Sequence, residues 1–346
     1  MKPGYSQAMN ADPQIETLLY PLRSEMIGDA EGWQNILCIG LSEPLTIEEL
    51  ISAKLTYAQG FRPDFLKLQR AGCYVVPELP KRGGYDAVLV RLGRHRGQNE
   101  AWLAEARKLV KKDGLILASG GKTDGAVSLR KRIAKAGMAI DYASLNHGVV
   151  FWFDAAGAAA LSDLAPTSAT PVEGRFVTAP GMFSHGKIDS GSRLLAQHLP
   201  DSLSGVVADF CAGWGYLSSR IAEQCPGVET LHLYEADHAS LQAAKTNLQA
   251  LNSVKVEFFW HDLFGEPLDQ HYDAIVMNPP FHTGRKAEPE LGIRLIEVAH
   301  DALRDRGHLL LVANRQLPYE TTLKSQFGSV NTVVEDAHYK VLIAVR

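Results

Sequence analysis

The sequence predicts an α/β fold of two tandem, doubly wound Rossmann-like domains, the first degenerate and the second ending in an antiparallel hairpin. Three observations carry this expectation. The string "YDAVLVRLGRHRGQNEAWLAEARKLVKKDGLILAS" beginning at Tyr85 recurs in kind as "YDAIVMNPPFHTGRKAEPELGIRLIEVAHDALRDRGHLLLVAN" beginning at Tyr272. Each reads as Tyr-Asp-Ala, an apolar strand, a polar loop, an amphipathic helix, a turn of basic, acidic and Gly residues, and another apolar strand. The spacing of the two copies is too long for a solenoid repeat, so each copy is expected to be a whole domain. Finally, "DAAGAAALSDLAPTSATPVEG", Asp154 to Gly174, is rich in Ala, Ser, Thr and Pro and reads as a linker.

Taken in order, residues 1–155 form the first expected domain, with apolar runs at 35–40, 73–77, 85–90, 114–118 and 147–153. Residues 156–174 are the linker and 175–346 the second domain. There the expected strands are 206–210, 230–235, 255–260, 273–277, 308–313, 330–335 and 338–345. Helical segments separate the first five, which implies βαβ crossovers and a mainly parallel sheet. The last two lack a helix between them and read as a hairpin.

The composition, 46% hydrophobic and 21% charged over 346 residues, is that of a globular chain. No apolar run reaches the roughly 18 residues of a membrane span, and "MKPGYSQAMNADPQ" lacks the apolar core of a secretory signal. A cytoplasmic monomer is the expectation. Cys38, Cys73, Cys211 and Cys225 are far apart and form neither metal-type pairs nor a disulfide framework, so they read as buried thiols and no metal site is expected. The formal charge of −4 argues weakly against a nucleic-acid partner, but Lys81–Lys135 holds 14 basic against 5 acidic residues. That cluster is either a phosphate-attracting face or the solvated side of two basic helices.

The chemistry-bearing motifs lie in the second half. "VVADFCAGWGYLSSRIA" is a strand, a turn from Asp209 to Gly215, and a helix; glycines 213 and 215 let the backbone approach a ligand closely. The third glycine of a dinucleotide fingerprint is replaced by Ser218, which lowers a nicotinamide or flavin reading. "LHLYEAD" places Glu235 at the end of the next strand, where a carboxylate can accept both hydroxyls of a ribose; a solvent-exposed strand-end acid is the alternative. Asp262 follows the third strand and reads either as an acceptor for an adenine amine or as a turn aspartate. The fourth strand delivers "NPPF", Asn278 to Phe281, to the same edge of the sheet. Ligands of open α/β sheets bind beyond the carboxyl ends of the strands, so four motifs converge on one crevice.

With these motifs the second half resembles class I S-adenosylmethionine-dependent methyltransferases, and "NPPF" is similar to the tetrapeptide of their amino-group N-methylating branch. It resembles most the bacterial ribosomal RNA guanine-N2 methyltransferases of the RsmC/RlmG type, which carry a degenerate methyltransferase-like domain ahead of the active one. The likeness includes "PGMFSHGKIDSGSRLL", "NPPFH" and "VANRQLPY". It implies S-adenosyl-L-methionine held by Asp209, Ala212, Gly213, Gly215, Glu235, Asp237, Asp262, Leu263 and Asn278, and a target base held by Asn278, Pro279, Pro280 and Phe281. The family loop is usually Asp-x-Gly-x-Gly-x-Gly, whereas Cys211 stands at the first Gly position. If that position needs positive φ, Cys211 is strained.

An exocyclic purine amine is a poor nucleophile because its lone pair is delocalised into the ring. Two acceptors, the Asn278 side-chain oxygen and the Pro279 carbonyl, would bind its N–H groups out of plane and favour a tetrahedral nitrogen. Phe281 offers a stacking face and His282 a polar group beside it. The first half has "RLGR" in place of "NPPF" and lacks the GxG turn, so no catalysis is expected there. Its Arg91, Arg94, Arg96, Arg130 and Arg132 would position ribosomal RNA or the small ribosomal subunit, or the domain would serve only to stabilise the other. Adenine N6 or a protein glutamine amide is the alternative acceptor, although motifs for those commonly end in Tyr where Phe281 stands. A non-catalytic RNA-binding or ribosome assembly factor is the alternative of another class.

Overall fold

The computed structural model describes residues 13–28, 30–45, 50, 52–157, 161, 171–280 and 289–346. The chain divides into two compact units, Met1–Ser168 and Ala169–Arg346.

The first unit runs α1 (Pro13–Arg23), β1 (Asn35–Ile39), β2 (Lys54–Ala58), α2 (Arg62–Arg70), β3 (Val75–Val76), β4 (Tyr85–Arg91), α3 (Arg96–Leu109), β5 (Val110–Gly121), α4 (Ala126–Lys135), β6 (Asp141–Leu145) and β7 (Gly148–Asp154). The second runs α5 (Ser190–Ala196), β8 (Ser204–Phe210), α6 (Tyr216–Gln224), β9 (Gly227–Glu235), α7 (His238–Leu248), β10 (Lys255–Trp260), β11 (Tyr272–Met277), α8 (Pro289–Ala302), β12 (Leu303–Asn314), α9 (Tyr319–Gln326), β13 (Ser329–Glu335) and β14 (Tyr339–Val345). The two sheets have the same strand order, β3-β2-β1-β4-β5-β7-β6 and β10-β9-β8-β11-β12-β14-β13. In each, five strands pair in parallel, and the sixth in spatial order, β7 or β14, runs antiparallel to both its neighbours. The first domain therefore carries a terminal hairpin as well.

Two first-unit strands, β2 and β6, were not expected from the sequence. In "KLTYA" of β2 only Thr56, Tyr57 and Ala58 are buried, and "DYASL" of β6 is an edge strand with no buried residue. Neither segment has the apolar run or clean alternation that identifies a strand. Their places are fixed by pairing with β1 and β7.

The parallel strands read as continuous apolar runs because helices cover both faces of the sheet. In β11, Ala274 and Val276 enter one core with Val207, Leu231 and Ile221, while Ile275 and Met277 enter the opposite core with Phe210, Leu295 and Leu311. Each large apolar side chain buried this way contributes on the order of 1.5–3 kcal/mol.

The repeated Tyr-Asp-Ala has a structural reason. Asp273 Oδ2 accepts from Val206 N at 2.8 Å, and both its oxygens take Arg304 Nη1 at 2.6 and 2.7 Å. Asp86 Oδ2 accepts from Gln34 N and Asn35 N at 2.9 and 2.8 Å, and Lys111 pairs with its other oxygen. The carboxylate ties the start of the first strand to the fourth in both units. Where the sequence places the turn after the helix, the register jumps from Tyr272↔Leu303 to Ala274↔His308, with Arg306 at φ 64°.

Part of the expected linker packs with the second unit. Val172 pairs with Phe176, and both are buried against Met182, Ile188, Trp214 and Ala243.

Candidate active site

Strand order in the second sheet runs one way from β8 through β9 to β10 and the other way from β11 to β12, so β8 and β11 flank the topological switch point. A ligand crevice is expected beyond their carboxyl ends. An open cleft lies there, and its lining includes Cys211, Ala212, Gly213, Trp214, Asn278, Asp189 and Ser192.

The floor of the cleft is the turn after β8. Cys211 adopts φ 61°, so the position does require the left-handed region and an L side chain there is strained by roughly 1–2 kcal/mol. Gly213, at φ 56°, has no atom within 4 Å of where a Cβ would be, which leaves its backbone open to the cleft. Gly215, at φ 87°, has a different reason: a Cβ would lie 3.2 Å from Ala244 and 3.3 Å from Leu248, so its absence lets α6 start close against α7. Trp214 is buried between Phe176 and Tyr216, and its Nε1 donates to the Phe183 carbonyl at 2.9 Å. Phe183 itself is exposed at the rim.

Glu235, at the end of β9, accepts from Gly213 N at 2.7 Å and from Asp237 N at 2.8 Å, which couples the glycine turn to the neighbouring strand end. Burial pushes its pKa up to about 7 against these two backbone N–H groups. Asp237 caps α7, with Oδ2 accepting from Ser240 N at 2.8 Å and Ser240 Oγ at 2.6 Å. Asp209 is completely buried at the end of β8 and its pKa also rises to about 7, burial outweighing the 2.6 Å bond from Ser218 Oγ. Its Oδ1 has no hydrogen-bond partner among the described residues. Burial holds the Cys211 thiol well above its usual pKa, reinforced by Glu235.

One strand further out, His261 N donates to the Glu235 carbonyl at 3.0 Å and so places Asp262 beyond β10. Asp262 Oδ1 accepts from Phe264 N at 3.0 Å, an Asx turn, and Leu263 is half-buried beside the core of that face.

β11 ends at Met277 and presents half-buried Asn278, buried Pro279 and exposed Pro280. Asn278 Nδ2 donates to Asp189 Oδ2 at 3.0 Å and to Ser192 Oγ at 2.8 Å. Asp189 is also the N-cap of α5, accepting from Ser192 N at 2.8 Å. Sequence reasoning assigned no role to Asp189 or Ser192, although Asp-x-x-Ser before "RLL" is a legible helix start. Phe281 and His282 lie outside the described residues.

The first unit holds the same positions in altered form. Strand pairing aligns Ile36 with Val207, each opposite the Ala of its Tyr-Asp-Ala strand, so Gly40 corresponds to Cys211 and Cys38 to Asp209. Gly40 has φ 72°, and the ring of Trp102 lies 2.8 Å from where its Cβ would be. Gln59 corresponds to Glu235: its Oε1 accepts from Phe61 N at 2.9 Å, but its Nε2 donates to the Leu41 carbonyl at 2.9 Å. Arg91 and Leu92 stand where Asn278 and Pro279 are.

Of the basic residues expected to form an RNA face, Arg96 and Arg132 both pair with the buried Glu100, and Arg94 is 3.9 Å from Asp124. Arg130 stacks its guanidinium 3.6 Å over the exposed ring of Tyr142. No helix among the described residues is long and apolar enough to cross a membrane.

Residues 173–343 match the methyltransferase small domain family. The chain is 31% identical over 278 residues to the ribosomal RNA small subunit methyltransferase C of Idiomarina loihiensis, covering 78% of this chain and 80% of that protein. It is 32% identical over 180 residues to the protein of the same name from Psychromonas ingrahamii, covering 52% of this chain and 51% of that protein, so this alignment spans about half the relative's length. Among solved structures it is similar to the T. thermophilus 16S rRNA N2 G1207 methyltransferase (RsmC) in complex with AdoMet and guanosine, with a TM-score of 0.77, 25% identity, and 97% of this chain and 92% of that one covered.

Proposed function

The chain belongs to the family of the ribosomal RNA small subunit methyltransferase C proteins, and from that premise we propose that it transfers a methyl group from S-adenosyl-L-methionine to the exocyclic N2 amine of a guanine in small-subunit ribosomal RNA. The observation that carries the reading is the meeting, in one cleft, of the open glycine turn at Gly213 and the anchored amide of Asn278.

The residues present fit the cofactor. Gly213 offers an uncovered backbone face, Asp209 keeps a buried carboxyl oxygen that has no hydrogen-bond partner among the described residues, and Glu235 ends its strand with two oxygens that have further lone pairs. Asp209, Ala212, Gly213 and Gly215 would hold the amino-acid portion, Glu235 the ribose, and Asp262 with Leu263 the adenine; Asp237 would act by presenting its N–H to Glu235. When bound, the cofactor supplies an activated methyl group on a positively charged sulfur.

The chain's own residues make the amine reactive. Asn278 Oδ1 and the Pro279 carbonyl accept the two N–H groups of the guanine amine, favour a tetrahedral nitrogen, and face the positive charge that develops there. Pro280 fixes its own φ and holds Pro279 extended, so the Pro279 carbonyl is aimed before substrate arrives. The amine lone pair would form the new nitrogen–carbon bond as the methyl–sulfur bond breaks with its electron pair left on sulfur, and the proton released from the nitrogen would go to water. Phe281 would stack on the base and His282 would contact its edge. A paired base cannot enter such a cleft, so the guanine is unpaired or flipped out.

The first unit would position RNA. Arg130 on Tyr142 is the most direct candidate contact, with Arg91 and Arg94 beside the altered strand end; Arg96 and Arg132 would act through the helix pair they join at Glu100.

The test is transfer of labelled methyl from S-adenosylmethionine into isolated small subunits and into their naked RNA. Label in RNA supports the reading, label confined to protein points to a glutamine amide, and bound cofactor with no transfer points to an assembly factor.

A further inference from the structure

Resting on the reading above, we infer that Asp189, with Ser192, is a positioning residue that sets which way the Asn278 amide faces, and so makes its oxygen available to the target amine.

The argument starts from the inventory of a primary amide, two N–H donors and one acceptor oxygen. The two orientations of Asn278, related by exchange of Oδ1 and Nδ2, are nearly identical in shape, and only hydrogen-bond partners choose between them. Here both donors are taken, by Asp189 Oδ2 at 3.0 Å and Ser192 Oγ at 2.8 Å. Asp189 has no donor when ionised, so the reversed amide would set an oxygen against a carboxylate oxygen. Among the described residues Oδ1 accepts no hydrogen bond.

The anchor is itself held. The same Asp189 Oδ2 accepts from Ser192 N at 2.8 Å as the cap of α5, so Asp189, Ser192 and Asn278 form a closed triangle across 89 residues of sequence. Gly191, between the two anchors, leaves room for Tyr339: a Cβ there would be 3.1 Å from both the Tyr339 ring and Asp189 Oδ2. The amide proposed to face the target amine is thus aligned by two neighbouring side chains, Asp189 and Ser192.

The test is a double-mutant cycle on rates at saturating cofactor and RNA, with cofactor affinity measured separately. Asp189→Ala is expected to lower kcat by about 10- to 100-fold, the scale of a misplaced reacting group, with cofactor Kd changed by less than about 3-fold. In the Asn278→Ala background the same change is expected to alter kcat by less than about 2-fold, because its effect passes through Asn278. Asp189→Asn, whose oxygen can still cap α5 and accept from Asn278, restores most of the rate. Multiplicative losses in the double mutant, an unchanged kcat in Asp189→Ala, or a loss confined to cofactor Kd would each overturn the inference. Absence of methyl transfer by the wild-type protein would instead defeat the reading on which it rests.

Discussion

Glu235 and Gln59 occupy the same strand-end position in the two sheets, and each accepts the N–H of the residue two further on, from Asp237 at 2.8 Å and Phe61 at 2.9 Å. They differ at the other end of the side chain. Glu235 receives the N–H of the open glycine turn, whereas Gln59 donates to the Leu41 carbonyl and closes its own turn. With Cys38 in place of Asp209 and the Trp102 ring packed against Gly40, the first unit retains the strand order and replaces the residues that open the turn in the second.

Glu235→Gln is therefore expected to weaken cofactor binding by about 10- to 100-fold at pH 8, the loss of the charge-assisted hydrogen bonds proposed between Glu235 and two ribose hydroxyls. Isothermal titration checks it. Gln59→Glu is expected to confer no binding on the first unit, because Trp102 remains over Gly40.

Binding should depend on pH. The Glu235 pKa is raised to about 7 by burial, so below that pH the free site is protonated, and ionisation must accompany binding. Cofactor affinity should fall as pH drops, approaching tenfold per unit for one proton, and Glu235→Gln should flatten the Glu235 part of that slope. Folding responds in the opposite sense. With folded pKa values of about 7 for Asp209 and Glu235, the ligand-free folded state binds more protons than the unfolded state between their ordinary values and pH 7. Its stability from these groups is full at the acidic end of that window and is lost as pH rises through it. Thermal melts with and without cofactor at pH 5 and 8 measure both effects.

Cys211 and Gly40 form a matched pair, at φ 61° and 72°. Cys211→Gly should stabilise the protein by about 1 kcal/mol by removing left-handed strain, partly offset by the freer unfolded chain, with cofactor affinity unchanged. Gly40→Ala should destabilise by about 2–4 kcal/mol, since it adds the same strain and a clash with Trp102. Urea denaturation of the two variants decides both signs.

Basic residues of the first unit should separate into two groups. Arg132→Ala strips one partner from the buried Glu100 and should cost about 1–3 kcal/mol of stability. Arg130→Ala should leave stability nearly intact and weaken RNA binding at low salt, read as a smaller slope of log affinity against log salt.

Much of this was legible in the sequence because it is local. The Tyr-Asp-Ala duplication, the apolar β11 and the Cys211 departure all follow from short strings whose backbone demands are known. The anchoring of Asn278 was not legible, because Asp189 lies 89 residues earlier and only the closed sheet brings it there. Charge counting saw the Lys81–Lys135 excess but could not see that Glu100 takes two of its arginines. β6 escaped because an exposed edge strand carries no apolar pattern.

The central claim is that Asn278 acts on a guanine N2 amine. The most direct measurement is nucleoside mass analysis of small-subunit RNA methylated by the wild-type protein and by Asn278→Ala. The account predicts N2-methylguanosine from the wild type and a rate lower by about 10²- to 10³-fold in the variant, the scale for removing one preorganised polar group from a transition state. Methyl on adenosine, or an equal yield of N2-methylguanosine from both proteins, would contradict it.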